Sequence, residues 1–369
     1  MNILHLYKDY HPIVGGIENY IKVLAEAQAA ANHQVTVLAC NPGLSTCTEI
    51  INQVRILKAG RLITLASMPL SIAQPLALTQ LRADVIHIHT PYPLGEAANW
   101  LLGRSAFTVI TYHSDVVRQR TLLRFYAPLF RRVLRAADRI IATSPSYINT
   151  SPWLQSVREK CTVVPLGIDV TRFSPAASHS DSEPLEILFV GRLRYYKGLD
   201  TLFHALIDVP QARLTIVGTG PMQASWQALA QELALSDRVT FVGEIDDTDL
   251  PEQYRRANLF VLPANTRAEA FGTVLLEAMA SGLPCITTEL GTGTSWVVQH
   301  GVTGLIVPPR EPAALAEAIK TFQTNLGLRQ QFGQAALVRV RTEFSQEVMI
   351  DGVMRVYEEL LTTRRTKNI

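Results

Sequence analysis

The 369-residue chain is short of cysteine, of long apolar runs and of any charge imbalance, and each shortage removes a class of protein. Its four cysteines, Cys40, Cys47, Cys161 and Cys285, form no Cys-x-x-Cys pair and have no histidine at zinc-ligand spacing, so neither a disulfide framework nor a metal site is expected. A reduced, cytoplasmic setting fits that pattern. No apolar run approaches the roughly 20 residues that span a bilayer. The first residues, "NILHLY", carry no basic stretch or cleavage site, so no secretory leader is expected. The 34 basic residues are balanced by 32 acidic ones, which speaks against nucleic acid as a partner.

What is present is globular: 47% apolar and 18% charged residues exclude a disordered chain, and the length favours more than one domain. Short β-branched runs alternate with amphipathic stretches, the pattern of parallel sheets wrapped by helices. The first half offers "ILHLY", "QVTVLA", "DVIHIHT", "FTVITYH", "RIIATS" and "CTVVPLG" as strands. The second offers "EILFVGRL", "RLTIVG", "VTFVGEI", "LFVLPA", "PCITTE" and "GLIVPP". The Ser- and Pro-rich stretch 169–184 reads as a linker. The expected class is therefore α/β, with two Rossmann-like doubly wound domains facing across a cleft. Residues 1–168 form the first, 185–345 the second, and 346–369 a terminal helix returning to the first. Ligands of such sheets bind at the carboxyl ends of the strands, so strand-to-helix turns are where chemistry is sought.

Three turns stand out. "HPIVGGIENY" places Gly15 and Gly16 at the start of a helix, where free N–H groups and the helix dipole favour an anion. A tight turn that merely needs glycine is an equal reading. "VGRLRYYKGLD" sets Arg192 and Lys197 after a buried strand, a planar fork and a point charge able to neutralise a diphosphate. "EAFGTVLLE" brackets the mouth of a helix with Glu269 and Glu277. If all nine residues were helical, the two acids would be displaced by about 12 Å along the axis and roughly 80° around it, too far apart for a catalytic dyad. They read instead as two grips on one extended ligand, with the backbone of Gly272, Thr273 and Val274 between them for a phosphate. The alternative is that Glu277 pairs with a neighbouring arginine.

Other motifs have plainer readings. "VGTGPM" lacks the third glycine of a dinucleotide fingerprint, so Gly218 and Gly220 read as backbone clearance near a ligand or as turn chemistry. Asp247 and Asp249 resemble a metal-binding pair, but Thr248 or Asp249 before Leu-Pro-Glu is better read as a helix cap. His87 and His89 alternate on one strand face; with no third ligand in reach, a packed or substrate-facing role is expected.

The combination "GRLRYYKG", "EAFGTVLLEAMASGLPCITT" and "HGVTGLIVPP", with "YHPIVGGIENY" near the start, resembles the retaining glycosyltransferases of family 4, whose architecture is called GT-B. The likeness spans nearly the whole chain. "YKDYHPIVGGIENY", "TYHSDVVRQ" and "GTGTSWVVQHGVTG" look most like bacterial mannosyltransferase-like enzymes of surface-polysaccharide assembly. The resemblance implies that Arg192 and Lys197 hold the donor diphosphate, Glu277 the ribose and Glu269 the hydroxyls of the transferred sugar. It implies that the backbone from Phe271 to Val274 meets sugar and phosphate, that Gly15 and Gly16 back the diphosphate, and that His113 contacts the sugar near the reacting carbon. His113, Arg192, Lys197 and Glu269 are then the catalytic candidates. "LGTGTSWVV" departs from the Gly-Gly-x-x-Glu of many relatives, so no catalytic residue is assigned there.

The implied donor is a nucleotide-diphosphate sugar, GDP-mannose first, with no cofactor or metal; the acceptor is a saccharide or lipid-linked glycan. A UDP-hexose or UDP-N-acetylhexosamine donor, a binding protein without transfer and an epimerase are the alternatives on the same fold. The basic segment Arg118–Arg135 suits either an anionic membrane surface, which would place the protein peripherally on the inner face of the plasma membrane, or a core helix with a solvated arginine face.

Overall fold

The computed structural model describes residues 1–13, 15–65, 68–115, 120–176 and 184–367, without the side chains of 120–125 and 364–367. Arg118, the side chains of Arg120 and Arg124, and part of the expected linker, 177–183, lie outside the described residues. The chain divides into two units, Met1–Val164 with Met349 onward, and Pro165–Val348. The division thus falls before the expected linker. The reason is Phe173, an apolar side chain within the Ser- and Pro-rich stretch that is buried in the core of the second unit.

The first unit is built on an eight-stranded sheet. Its spatial order is Cys161–Val163, Arg139–Ala142, Ser105–Tyr112, Ala83–Thr90, Asn2–Leu6, Gln34–Cys40, Val54–Ala59 and Cys47–Ile51. All pairs are parallel except the last, a hairpin the sequence reading does not contain. Asn52 and Gln53 close it with φ of 47° and 66°, the paired positive angles of a two-residue hairpin turn. The strand Ala83–Thr90 is buried from Val85 onward, as a central parallel strand covered on both faces must be.

The second unit carries a six-stranded parallel sheet in the order Val239–Gly243, Ala212–Val217, Leu185–Val190, Leu259–Leu262, Cys285–Thr288 and Gly304–Val307. That order reverses between Leu185–Val190 and Leu259–Leu262, the doubly wound switch point where loops diverge and leave room for a ligand. In the first unit the order reverses between Asn2–Leu6 and Ala83–Thr90. The turns holding Gly15, Arg192 and Glu269 each follow a strand at one of these two points. The helix Gln346–Lys367 ends the chain, and its Tyr357 lies within the first unit's core. Among the described residues, no helix is long and apolar enough to cross a membrane.

Candidate functional site

In the second unit, the strand Leu185–Val190 runs into Gly191, whose φ of 145° turns the chain sharply away from the sheet. A short 3-10 turn, Tyr195–Lys197, follows and is closed by Gly198 at φ 71°. Lys197 is thereby tucked in at 7% exposure, while Arg192 in the same loop is exposed. Gly218 and Gly220 serve this loop: a Cβ on either would lie 2.3 Å from the Gly191 carbonyl oxygen or 2.5 Å from that of Leu193. Their clearance is for the neighbouring backbone, which decides between the two readings of "VGTGPM".

The loop after Leu259–Leu262 brings Glu269 to Lys197. The lysine Nζ stands 2.7 Å from Glu269 Oε2, with both side chains about nine-tenths buried. The contact is an ion pair off the hydrogen-bond axis, so the carboxylate oxygen is neutralised without being saturated. Gly272 then opens the helix Thr273–Ala280 at φ 75°, a left-handed conformation that favours glycine. Phe271 is buried, and the first N–H groups of the helix, from Thr273 and Val274, emerge beside it without intrahelical acceptors. Gly282, at φ 74°, ends the helix in the left-handed conformation the sequence required.

Glu277 sits one turn into that helix, while Glu269 lies in the loop before it. Its partner is not an arginine in contact. The Tyr254 hydroxyl donates to Glu277 Oε2 at 2.7 Å, and Arg172 acts only at longer range. Burial pushes the Glu277 carboxyl up to about 7, and the tyrosine hydrogen bond and the arginine charge offset part of that rise. Tyr254 was not singled out in the sequence. A tyrosine on the buried face of an amphipathic helix needs a partner for its hydroxyl, and that was the available signal.

The loop after Cys285–Thr288, to which the sequence assigned nothing, holds the Glu269 segment in place. Thr292 Oγ1 donates to the Glu269 carbonyl oxygen at 2.9 Å, and the Gly293 N–H donates to that of Ala270 at 2.8 Å. Arg339, itself buried, fixes the far side of this loop by donating to the carbonyls of Trp296 and Val297. Asp249 occupies the N-cap position of Leu250–Arg256 but its side chain makes no capping bond, and Asp247 is open to solvent.

In the first unit, Gly15 caps the helix Gly16–Ala30 in an extended conformation, and neither glycine has a positive φ. Turn geometry therefore does not require glycine here. A Cβ on Gly16 would meet nothing within 4 Å, leaving open space at the helix mouth. His113 follows the strand Ser105–Tyr112 and is 5% exposed, its ring edge-on to Tyr20 at 5.0 Å. Burial lowers its pKa to about 3, so it is a neutral imidazole.

The His87 and His89 pair gains a third ring that the sequence reading did not bring there: His5, which the strand register places directly beside His87. The nearest nitrogens of the three lie within 4.8 Å of one another. Each ring nitrogen already has a protein partner. His87 meets Tyr357 and Thr111, both at 2.6 Å, and His5 and His89 bond to one another and to Gln28 and His113.

The described part of the basic helix Arg120–Ala136 buries Phe130, Val133 and Leu134 and exposes Arg131, Arg132 and Arg135. These apolar residues are core, so any membrane contact by this part would be carried by the arginine face.

Comparisons with known proteins point the same way as the site. Residues 14–172 match the family described as Glycosyltransferase Family 4, and residues 170–339 match that described as Glycosyl transferases group 1. The D-rhamnosyltransferase WbpZ of Pseudomonas aeruginosa is 37% identical over 94% of this chain and 92% of its own. The O-antigen chain mannosyltransferase C of Escherichia coli is 34% identical over 99% of this chain and 100% of its own. Among solved structures, a sucrose-phosphate synthase of Thermosynechococcus elongatus superposes with a TM-score of 0.78 at 25% identity, covering 98% of this chain and 99% of that one.

Proposed function

Because the chain belongs to glycosyltransferase family 4, we propose that it moves a hexose, mannose from GDP-mannose, onto a saccharide or lipid-linked acceptor in cell-surface polysaccharide assembly. Transfer retains the anomeric configuration and uses no metal. The observation that carries this reading is the buried Lys197–Glu269 pair set beside a helix mouth, with Glu277 held by Tyr254 one turn further on.

Each part has a role set by its chemistry. An ammonium has three N–H donors, so Lys197 can balance the Glu269 charge and still direct a donor at a diphosphate oxygen. Exposed Arg192 adds a planar fork for the same group, and the N–H groups of Thr273 and Val274 add the helix dipole. Together they stabilise charge on the departing nucleoside diphosphate as the sugar carbon becomes oxocarbenium-like, the work a metal performs in other transferases. Glu269 accepts from sugar hydroxyls. Glu277, with Oε2 taken by Tyr254, offers Oε1 to the ribose. Gly15 and Gly16 approach the diphosphate, and neutral His113 contacts the sugar.

The two relatives are named for mannose and for rhamnose, its 6-deoxy form, so the donor panel has to include both. Incubation with GDP-mannose, GDP-D-rhamnose and UDP-hexoses, scored for nucleotide release with and without saccharide acceptors, is expected to give acceptor-dependent release of GDP from one of the first two. Tight nucleotide binding without turnover of any donor would sink the enzyme reading; preference for a UDP donor would move the specificity.

We further propose that the exposed Arg131, Arg132 and Arg135 make salt-sensitive contact with anionic lipid. Flotation with anionic vesicles is expected to fall away at high salt, and binding that is absent or indifferent to salt would remove the membrane from the account.

A further inference from the structure

Three imidazoles from three neighbouring strand segments form a hydrogen-bonded file inside the first unit. His5 Nε2 lies 2.8 Å from Gln28 Oε1, His5 Nδ1 lies 3.1 Å from His89 Nε2, and His89 Nδ1 lies 3.2 Å from His113 Nε2. His5 and His89 have no exposed surface, and His113 has almost none. Burial keeps all three rings uncharged, with His5 lowered to about 4, His113 to about 3 and His89 well below its ordinary value.

A neutral imidazole has one N–H and one bare nitrogen, so a ring that donates on one side accepts on the other. Three such rings in file must therefore all point the same way. The direction is set at the inner end, because an amide oxygen only accepts. His5 donates from Nε2 to Gln28, which leaves its Nδ1 to accept from His89 Nε2–H. His89 Nδ1 accepts in turn from His113 Nε2–H. His113 Nδ1 is then bare; among the described residues the ring's hydrogen bond is the one through Nε2.

We propose that Gln28, His5 and His89 are positioning residues that fix His113 as its Nε2–H tautomer and present Nδ1 as an acceptor for a sugar hydroxyl. The proposal rests on the reading of His113 as a sugar contact. It sharpens that reading, because a bare nitrogen accepts from a hydroxyl and is repelled by a phosphate oxygen, whereas the opposite tautomer would favour the phosphate. The file thus selects which part of a nucleotide sugar lies against His113.

The test uses the full chain labelled with 15N-histidine, with the His113 signals assigned by difference from His113→Gln and the tautomer read from long-range proton–nitrogen correlations. The parent is expected to show His113 protonated on Nε2. Gln28→Leu removes the fixed acceptor and is expected to populate both tautomers. Turnover of the nucleotide sugar should fall roughly tenfold while its KM shifts by less than about twofold, as positioning without loss of a binding contact requires. Gln28→Glu, whose carboxylate imposes the same direction, is expected to restore both tautomer and turnover, and melting curves identify any variant that fails to fold. His113 protonated on Nδ1 in the parent, or a Gln28→Leu chain with unaltered tautomer and turnover, overturns the proposal. A shifted tautomer with unchanged turnover upholds the file as the tautomer's source but overturns its functional half, and it removes His113 from the sugar site. Loss of turnover in His113→Gln without any effect of Gln28→Leu keeps the functional reading and discards the file.

Discussion

Lys197→Met is expected to lower turnover by about two to three orders of magnitude, the usual effect of deleting one charge-stabilising donor at a transferred group. The same change is expected to reduce folding stability by roughly 3 kcal/mol, because it strands the Glu269 carboxylate without its cation in a nearly closed site. A single variant therefore cannot separate catalysis from structure. The double variant Lys197→Met, Glu269→Gln can. With the charge removed from both sides, no ion is left buried and unpaired, so most of the lost stability is expected to return while turnover stays down. Denaturant melts and initial rates on the two single variants and the double complete the cycle. Turnover within tenfold of the parent in Lys197→Met, or recovered in the double variant, would assign the pair to folding alone.

Buried ion pairs often stabilise no more than well-packed apolar residues of the same volume, since the cost of desolvating both charges offsets their attraction. Phe189, Phe260 and Leu275 belong to this unit's apolar core, which also holds buried polar groups such as Thr292. A lysine and a glutamate placed at a doubly wound switch point, where apolar side chains would pack as well, are what the proposed donor site calls for.

The two sheets were readable because parallel strands buried on both faces leave continuous apolar runs, and each such run in the sequence lies at a strand here. The edge hairpin Cys47–Ile51 and Val54–Ala59 was not readable for the opposite reason. Its outer strand is mostly exposed and its turn uses Asn52-Gln53, without the glycine that usually marks such loops. In the site, Lys197, Glu269, Glu277 and Gly272 were legible because one loop or one helix mouth carries each motif. Tyr254, Thr292 and His5 were not, because each reaches its partner only through packing between distant segments. Tyr254 is 23 residues from Glu277, Thr292 is 23 from Glu269, and His5 is 84 from His89. Composition could not report that Val170 and Phe173, within the expected linker, pack on the second unit's core.

Thermal stability is expected to fall steeply as pH drops below about 6.5, the unfolded histidine value, and to level off toward neutrality, where the two sets of groups nearly cancel. His5, His33, His87, His89 and His113 all have lowered pKa values, chiefly through burial. A depressed histidine favours the fold above its unfolded pKa and loses that contribution as pH falls toward its folded one, because the unfolded chain takes up the proton first. Glu18, Glu96 and Glu277 act the other way: their raised values, about 7 for the last two, favour the fold at low pH and lose that contribution as pH rises. Near pH 5.5 five histidines oppose three carboxylates, so net proton uptake on unfolding is positive and acid destabilises. By neutral pH the unfolded histidines are only about a quarter protonated, and their remaining uptake is nearly cancelled by the protons that Glu96 and Glu277 release. Near pH 5 the histidine file and His87 take up about four protons on unfolding, Glu96 and Glu277 release part of that number, and the slope of stability against pH measures the difference. His87→Gln, which keeps polar atoms able to bond Tyr357 and Thr111, is expected to lower that slope by close to one proton while leaving activity at neutral pH in place. A slope that is flat from pH 7 to 5, or unchanged in His87→Gln, would mean that the buried imidazoles titrate normally and that the network admits water.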